Sequence, residues 1–213
     1  TAIGNQALTN NVTGIQNTAL GAAAMGTNSG GSNNTAIGFY ALYTANGTLY
    51  NTAIGSQAAA KTTTGDQNTA VGYQSLYSNI TGVGNVALGY HALYTADGAT
   101  SGNIGIGYRA MRQTTTGDLN TAVGWQALYS NTYGGYNTAF GGQAMQQNTI
   151  GGNNTAIGYN ALFQNTTGDG SVGVGYQALF NNTIGFSNVG VGRAALFSNT
   201  TGIRNIAIGH SAM

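Results

Sequence analysis

Apolar and polar residues recur along this chain with a period of 17. Read from Thr1, it divides into twelve full units and a half unit: eleven have 17 residues, the unit 86–103 has 18, and the last has eight. The consensus is T-A-I-G-Y-Q-A-L-Y-S-N-T-T-G-x-x-N, and its positions are numbered here as columns 1–17. Columns 1–3 carry Thr, Val or Ile, then Ala or Gly, then a larger apolar residue, which is the two-residue rhythm of a short strand. Side chains 1 and 3 therefore share one face. The column 2 face admits nothing larger than a methyl group, so something approaches it closely: a corner of its own coil or a neighbouring chain.

The other columns place the core and the turns. Column 4 is Gly in all thirteen units, and column 14 is Gly in ten of the twelve full ones. Both predict turns that need positive φ or close backbone approach. Column 8 is Leu or Met except at Ala59 and contains every Met of the chain, an exchange that marks a buried site. Column 17 is Asn except at Ser171, and column 11 is often Asn; both suit turns and hydrogen-bonded ladders between stacked coils. Columns 5–10 read either as a second short strand or as one helical turn. The prediction is an all-β parallel β-solenoid of about 12.5 coils, a single repeat domain over residues 1–213.

Composition narrows the function. Only 4% of residues are charged, with five Lys and Arg against four Asp and no Glu, and Cys and Pro are absent. A chain this poor in cations does not neutralise a run of phosphates, so nucleic acid is excluded as a partner. Without Cys there is no disulfide or thiolate-zinc framework. No apolar run reaches the roughly 20 residues of a membrane helix, so direct insertion by this segment is not expected.

Candidate chemistry reads mostly as architecture. His91 and His210 stand in different units without a second ligand at metal-binding spacing. Asp66, Asp118 and Asp169 each follow the column 14 Gly and are three units apart, roughly 14 Å by stacking, too far for a carboxylate pair or a shared cation. Arg109 and Arg112 share a unit with Asp118 and are placed to pair with it. Residues 168–173 spell G-x-G-x-x-G, but no helix pattern follows. Sequons at Asn11, Asn33, Asn46, Asn79, Asn153, Asn165, Asn181 and Asn199 follow from the Asn- and Thr-rich turns. No catalytic, metal or cofactor residues are assigned, and the expectation is that the chain is not an enzyme.

The aromatics fall into two rows. Column 5 holds Phe39, Tyr73, Tyr90, Tyr108, Trp125, Tyr159 and Tyr176, a candidate surface contact ladder; column 9 holds Tyr43, Tyr77, Tyr94, Tyr129, Phe163, Phe180 and Phe197. Column 5 also accepts Asn5, Ser56, Gly142, Arg193 and His210, which points to partial exposure.

The pentapeptides at Asn34–Gly38, Asn51–Gly55 and Asn154–Gly158 (N-T-A-I-G), with Asn68–Gly72 and Asn120–Gly124 (N-T-A-V-G), resemble the S-V-A-I-G motif of YadA-type head domains in trimeric autotransporter adhesins. The longer unit is similar to repeats of bacterial and phage fibre proteins that often end in an endosialidase-type chaperone domain. The resemblance implies a left-handed β-roll wound as a side-by-side homotrimer, located outside the cell, at its surface or in a virion tail fibre. It implies surface attachment or fibre extension, with a host-surface protein or glycan as the outer partner. The unit here is longer than the usual adhesin-head repeat. The chain starts mid-motif at Thr1 and stops mid-unit at Met213, which reads as a piece of a longer fibre. Two alternatives use the same rows: ice binding through aligned Thr, and glycan binding through the Tyr ladder.

Overall fold

The computed structural model describes residues 1–96 and 100–213. The chain forms two compact units, Thr1–Asn103 and Ile104–Met213. The first holds β1 (Ala2–Ile3), β2 (Thr18–Leu20), β3 (Thr35–Ile37), β4 (Thr52–Ile54), β5 (Thr69–Val71) and β6 (Val86–Leu88). The second holds β7 (Ile104–Ile106), β8 (Thr121–Val123), β9 (Thr138–Phe140), β10 (Thr155–Ile157), β11 (Val172–Val174), β12 (Val189–Val191) and β13 (Ile206–Ile208). Within each unit every strand pairs in parallel with the next in sequence, column on column: Thr35 with Thr52, Ala36 with Ala53, Ile37 with Ile54, and likewise Thr138 with Thr155 and Phe140 with Ile157. Both units are parallel β-solenoids, about 12 turns in all, and no helix occurs among the described residues.

Three-residue strands put only column 2 inside. Ala19, Ala36, Ala53, Ala70 and Ala87 in the first unit, and Ala122, Ala139 and Ala156 in the second, are fully buried. The close neighbour of column 2 is thus its own coil's interior: a Cβ on Gly173 would lie 3.2 Å from the Ala178 carbonyl and 3.3 Å from Leu162 Cγ.

Columns 5–10 are neither a strand nor a helical turn. Columns 6 and 8 adopt left-handed backbone, with φ between +48° and +60° at residues as large as Tyr40, Leu42, Leu76 and Leu162. In a strand, neighbours alternate sides. Here the left-handed residues let consecutive columns 7 and 8 both enter the core, as Ala41 with Leu42 and Ala161 with Leu162. Each left-handed residue costs about 1–2 kcal/mol. A buried Leu returns about 1.5–3 kcal/mol, and the same residue donates its N–H to the next coil, Leu42 to the Ala58 carbonyl at 2.9 Å and Leu162 to the Ala178 carbonyl at 2.9 Å.

Two Asn columns complete the interior. Column 17 Asn side chains link successive coils, accepting the next column 17 backbone N–H and reaching a column 14 carbonyl of the next coil: Asn51 N–H donates to Asn34 Oδ1 at 2.8 Å, and Asn51 Nδ2 donates to the Gly65 carbonyl at 2.9 Å. Column 11 forms an amide ladder in which Asn148 donates to Asn131, Asn165 to Asn148, Asn182 to Asn165 and Asn199 to Asn182, at 2.7–3.1 Å.

Glycine is required at two corners. Column 4 glycines have φ of +128° to +141°, and a Cβ on Gly38 would sit 2.5 Å from the Gly55 carbonyl. Column 14 glycines are required by space: a Cβ on Gly151 would lie 2.5 Å from the Gly168 carbonyl and 2.6 Å from Asn148 Oδ1. The two exceptions at column 14, Thr48 and Thr100, are also the coils whose column 11 is Ala, at Ala45 and Ala96. All four side chains are fully buried, so one interior volume is filled from either corner. The extra residue of the unit 86–103 falls between Ala96 and Thr100, outside the described residues. Beyond it the pairing resumes, with Val86 N–H donating to the Asn103 carbonyl at 2.8 Å.

Candidate contact surfaces

Because column 2 turns inward, columns 1 and 3 turn outward, and column 3 is where the large aliphatic residues are. In the second unit Ile106, Val123, Phe140, Ile157, Val174, Val191 and Ile208 form an outer row that is exposed or half-buried, with 56% exposure at Phe140 and 72% at Ile208 of the last strand. In the first unit Leu20, Ile37, Ile54, Val71 and Leu88 do the same. Strand pairing fixes the spacing along each row at about 4.8 Å. Within each unit the column 3 row is thus a continuous apolar strip on a regular sheet, flanked by the Thr, Val and Ile of column 1.

The column 5 ladder lies beyond the Gly corner. Phe39, Tyr73, Tyr90, Tyr108, Trp125, Tyr159 and Tyr176 are all solvent-exposed. Tyr73 and Tyr90 stack at 5.5 Å and 18°, and Tyr159 and Tyr176 at 5.9 Å and 15°. Column 9 is more regular and half-buried. Tyr77 stacks on Tyr94 at 5.3 Å and 5°, and Phe163, Phe180 and Phe197 form a run at 5.1 and 5.2 Å. Rings stacked along the coil direction cover each other's faces and present edges to solvent, so these pairs serve first to hold successive coils together.

Four of the five cations rest on these aromatic rings. Lys61 Nζ lies 4.8 Å from the Tyr77 ring centre, Arg109 is 4.9 Å from Tyr108, Arg112 is 6.0 Å from Tyr129 and Arg193 is 5.7 Å from Tyr176. The acidic residues act on the backbone: Asp66 and Asp169 carboxylates accept the N–H of Leu49 at 2.7 Å and of Gly152 at 2.6 Å in the preceding coil. Ser32 accepts from Ile15 in the same way at 3.0 Å. Where column 15 is polar, as at Ser32, Asp66 and Asp169, its side chain therefore caps backbone of the preceding coil, and the T-G-D turns at Asp66 and Asp169 serve this end. Asp97 lies outside the described residues.

The remaining candidates are dispersed. His91 is packed between Tyr90 and Tyr94 with Nε2 2.8 Å from Gln74 Oε1, whereas His210 lies 3.5 Å from an Arg193 guanidinium nitrogen. Among the described residues, no three His, Asp or Glu side chains cluster as for a metal ion. The glycine motif at 168–173 is a coil corner running into β11. Of the sequons, Asn79 and Asn165 are fully buried, whereas Asn46 and Asn153 face solvent. Column 12 in the second unit is a second Thr row, Thr115, Thr132, Thr149, Thr166, Thr183 and Thr200. The first five donate Oγ1–H to the next coil's column 12 carbonyl at 3.0–3.1 Å. These hydroxyl protons are committed to the coil.

Sequence reasoning missed one local feature. Gly142 interrupts the aromatic column between Trp125 and Tyr159, and three Gln side chains gather beside the gap. The signal was present as a Gly in a run of aromatics, but the amide cluster joins columns 6 and 9 and is assembled only by stacking. No helix among the described residues is long and apolar enough to cross a membrane. Comparison of the chain with family models, curated proteins and solved structures finds no match.

Proposed function

We propose that this chain is a structural and adhesive segment of an extracellular fibre, at a cell or virion surface, whose work is reach and contact without catalysis. The observation that carries the reading is the outer row of column 3. A coil that already fills its interior with Ala, Leu, Met and Asn still exposes a large aliphatic or aromatic side chain on every strand. A contiguous exposed apolar strip of this kind marks an interaction surface, and a repeating strip is most simply matched by another copy with the same repeat. Together with the resemblance of the N-T-A-I-G units to YadA-type heads, this supports a left-handed, side-by-side homotrimer with the column 5 ladder free to meet a host-surface protein or glycan.

The test is the mass of the intact chain in solution by sedimentation equilibrium. The expected result is three chains per particle at micromolar concentration. Ile157→Glu, on the outer sheet face and absent from the interior, is expected to shift the particle to single chains with an unchanged far-UV spectrum. A wild-type chain that stays monomeric across this range overturns the side-by-side assembly.

A further inference from the structure

The gap at Gly142 has the chemistry of a neutral saccharide site. In the second unit, column 5 runs Tyr108, Trp125, Gly142, Tyr159, Tyr176, so one rung of the ladder has no side chain. Trp125 is the only Trp of the chain and is 48% exposed, and among the described residues it has no ring partner. Tyr159, on the other side, leans over the empty rung, its Cδ2 lying 3.2 Å from where a Gly142 Cβ would be. Its hydroxyl donates to Gln143 Oε1 at 3.0 Å. Gln146 Nε2 donates to Gln126 Oε1 at 2.7 Å, and Gln143 Nε2 to Gln146 Oε1 at 3.4 Å.

Gln126, Gln143 and Gln146 are half-buried and hydrogen-bonded to one another, so their amide planes are held in place. An amide has four hydrogen-bonding positions, and each of these three uses only one or two of its own in these contacts. Across coils 121–137, 138–154 and 155–171, columns 5–10 contain no Lys, Arg, His, Asp or Glu. An indole face without a stacking neighbour, bordered by fixed and unsaturated amides and lacking charge, matches a pyranose with equatorial hydroxyls. Its axial C–H groups would lie on the indole, and its hydroxyls would meet the Gln amides. The rest of the ladder differs, because Tyr73 and Tyr90 close each other's inner faces.

We infer that the step formed by Trp125, Gly142 and Tyr159, with Gln126, Gln143 and Gln146, binds a neutral, all-equatorial oligosaccharide. This rests on the fibre reading and names the chemistry of its outer partner. The test uses the intact chain and its single Trp. Titration with cellotetraose, and separately with triacetylchitotriose, is followed by Trp125 emission and by calorimetry. A saturable emission change with matching heat is expected from at least one of the two.

Gly142→Tyr, which supplies the missing rung, is expected to weaken that response at least about tenfold, the size of one aromatic contact. Gly142→Ser, a residue that column 5 already holds at Ser56, is expected to retain it. The absence of any saturable response to both sugars overturns the inference. So does a Gly142→Tyr chain that binds as the wild type does. Sedimentation of the same samples keeps the two proposals separate, since sugar binding by a monomeric chain refutes the trimer alone, and a trimer without a sugar response refutes only this site.

Discussion

Exchanging one buried corner for another that the chain itself uses makes a quantitative test of how the coils are held. Asn165 Nδ2 donates to Asn148 Oδ1 at 2.8 Å and to the Gly168 carbonyl at 2.9 Å, and Asn165 Oδ1 accepts from Asn182 at 3.1 Å. Asn165→Ala removes all three. Asn182 retains the Gly185 carbonyl at 2.8 Å and the Gly168 carbonyl retains Asn154 Nδ2 at 2.7 Å, but Asn148 Oδ1 loses its buried partner. At about 1–3 kcal/mol for one buried acceptor left without a partner, with a small void added, the loss is about 2–4 kcal/mol.

Gly168→Thr alone fails for a different reason, because its Cβ would run into the Gly185 carbonyl and Asn165 Oδ1. In the double variant the amide is gone and the Thr enters its volume, as Thr48 does beside Ala45. The two losses then offset each other by about 2 kcal/mol in a double-mutant cycle, the range seen for side chains that share a cavity. Grafting the whole Ala45–Thr48 corner onto residues 165–168 also supplies the glycine that takes φ of +87° at Gly47, and recovers more. Recovery stays incomplete, because Thr48 Oγ1 itself is buried without a hydrogen-bond partner. The assay is the urea midpoint of the intact chain with amide exchange over residues 155–188. Strict additivity of the two single losses would refute the shared-volume account.

Four other outcomes follow from the same geometry. Gly158→Ala places a Cβ 2.5 Å from the Gly175 carbonyl at φ of +131° and is expected to open the stack locally, with loss of amide-exchange protection on both sides of β10. Gly173→Ala lies at ordinary strand φ, in a column where neighbouring β10 has Ala156, and is expected to leave the urea midpoint unchanged or raise it by up to about 1 kcal/mol. Gly173→Val, by contrast, overfills the interior against Leu162 and lowers the midpoint by about 1–3 kcal/mol. Expression in a glycosylating host is expected to modify Asn153 or Asn46 and leave Asn79 and Asn165 bare, as peptide mapping by mass spectrometry would show, because a buried amide in the coil cannot meet a transferase.

Much of this protein was legible in one chain because the repeat compares each position with itself thirteen times. The period, the strand at columns 1–3, the buried Leu and Met of column 8, the Asn ladders and the exposed aromatic row all follow from which residue types each column tolerates. Tolerance reports burial and backbone freedom, and both are local. Conformation at columns 5–10 was not legible, because Gln, Leu and Tyr carry no signature of left-handed φ, and only the interlocking of successive coils holds them there. Nor did Ile at column 3 announce that it faces outward, since an aliphatic row reads the same whether it lines a core or covers a surface. Which side of a three-residue strand is the interior depends on where the remaining 14 columns travel, and the Trp125–Gly142 step depends on side chains 16–20 residues apart meeting across coils. Those are contacts between stacked turns, and only the tertiary structure sets them.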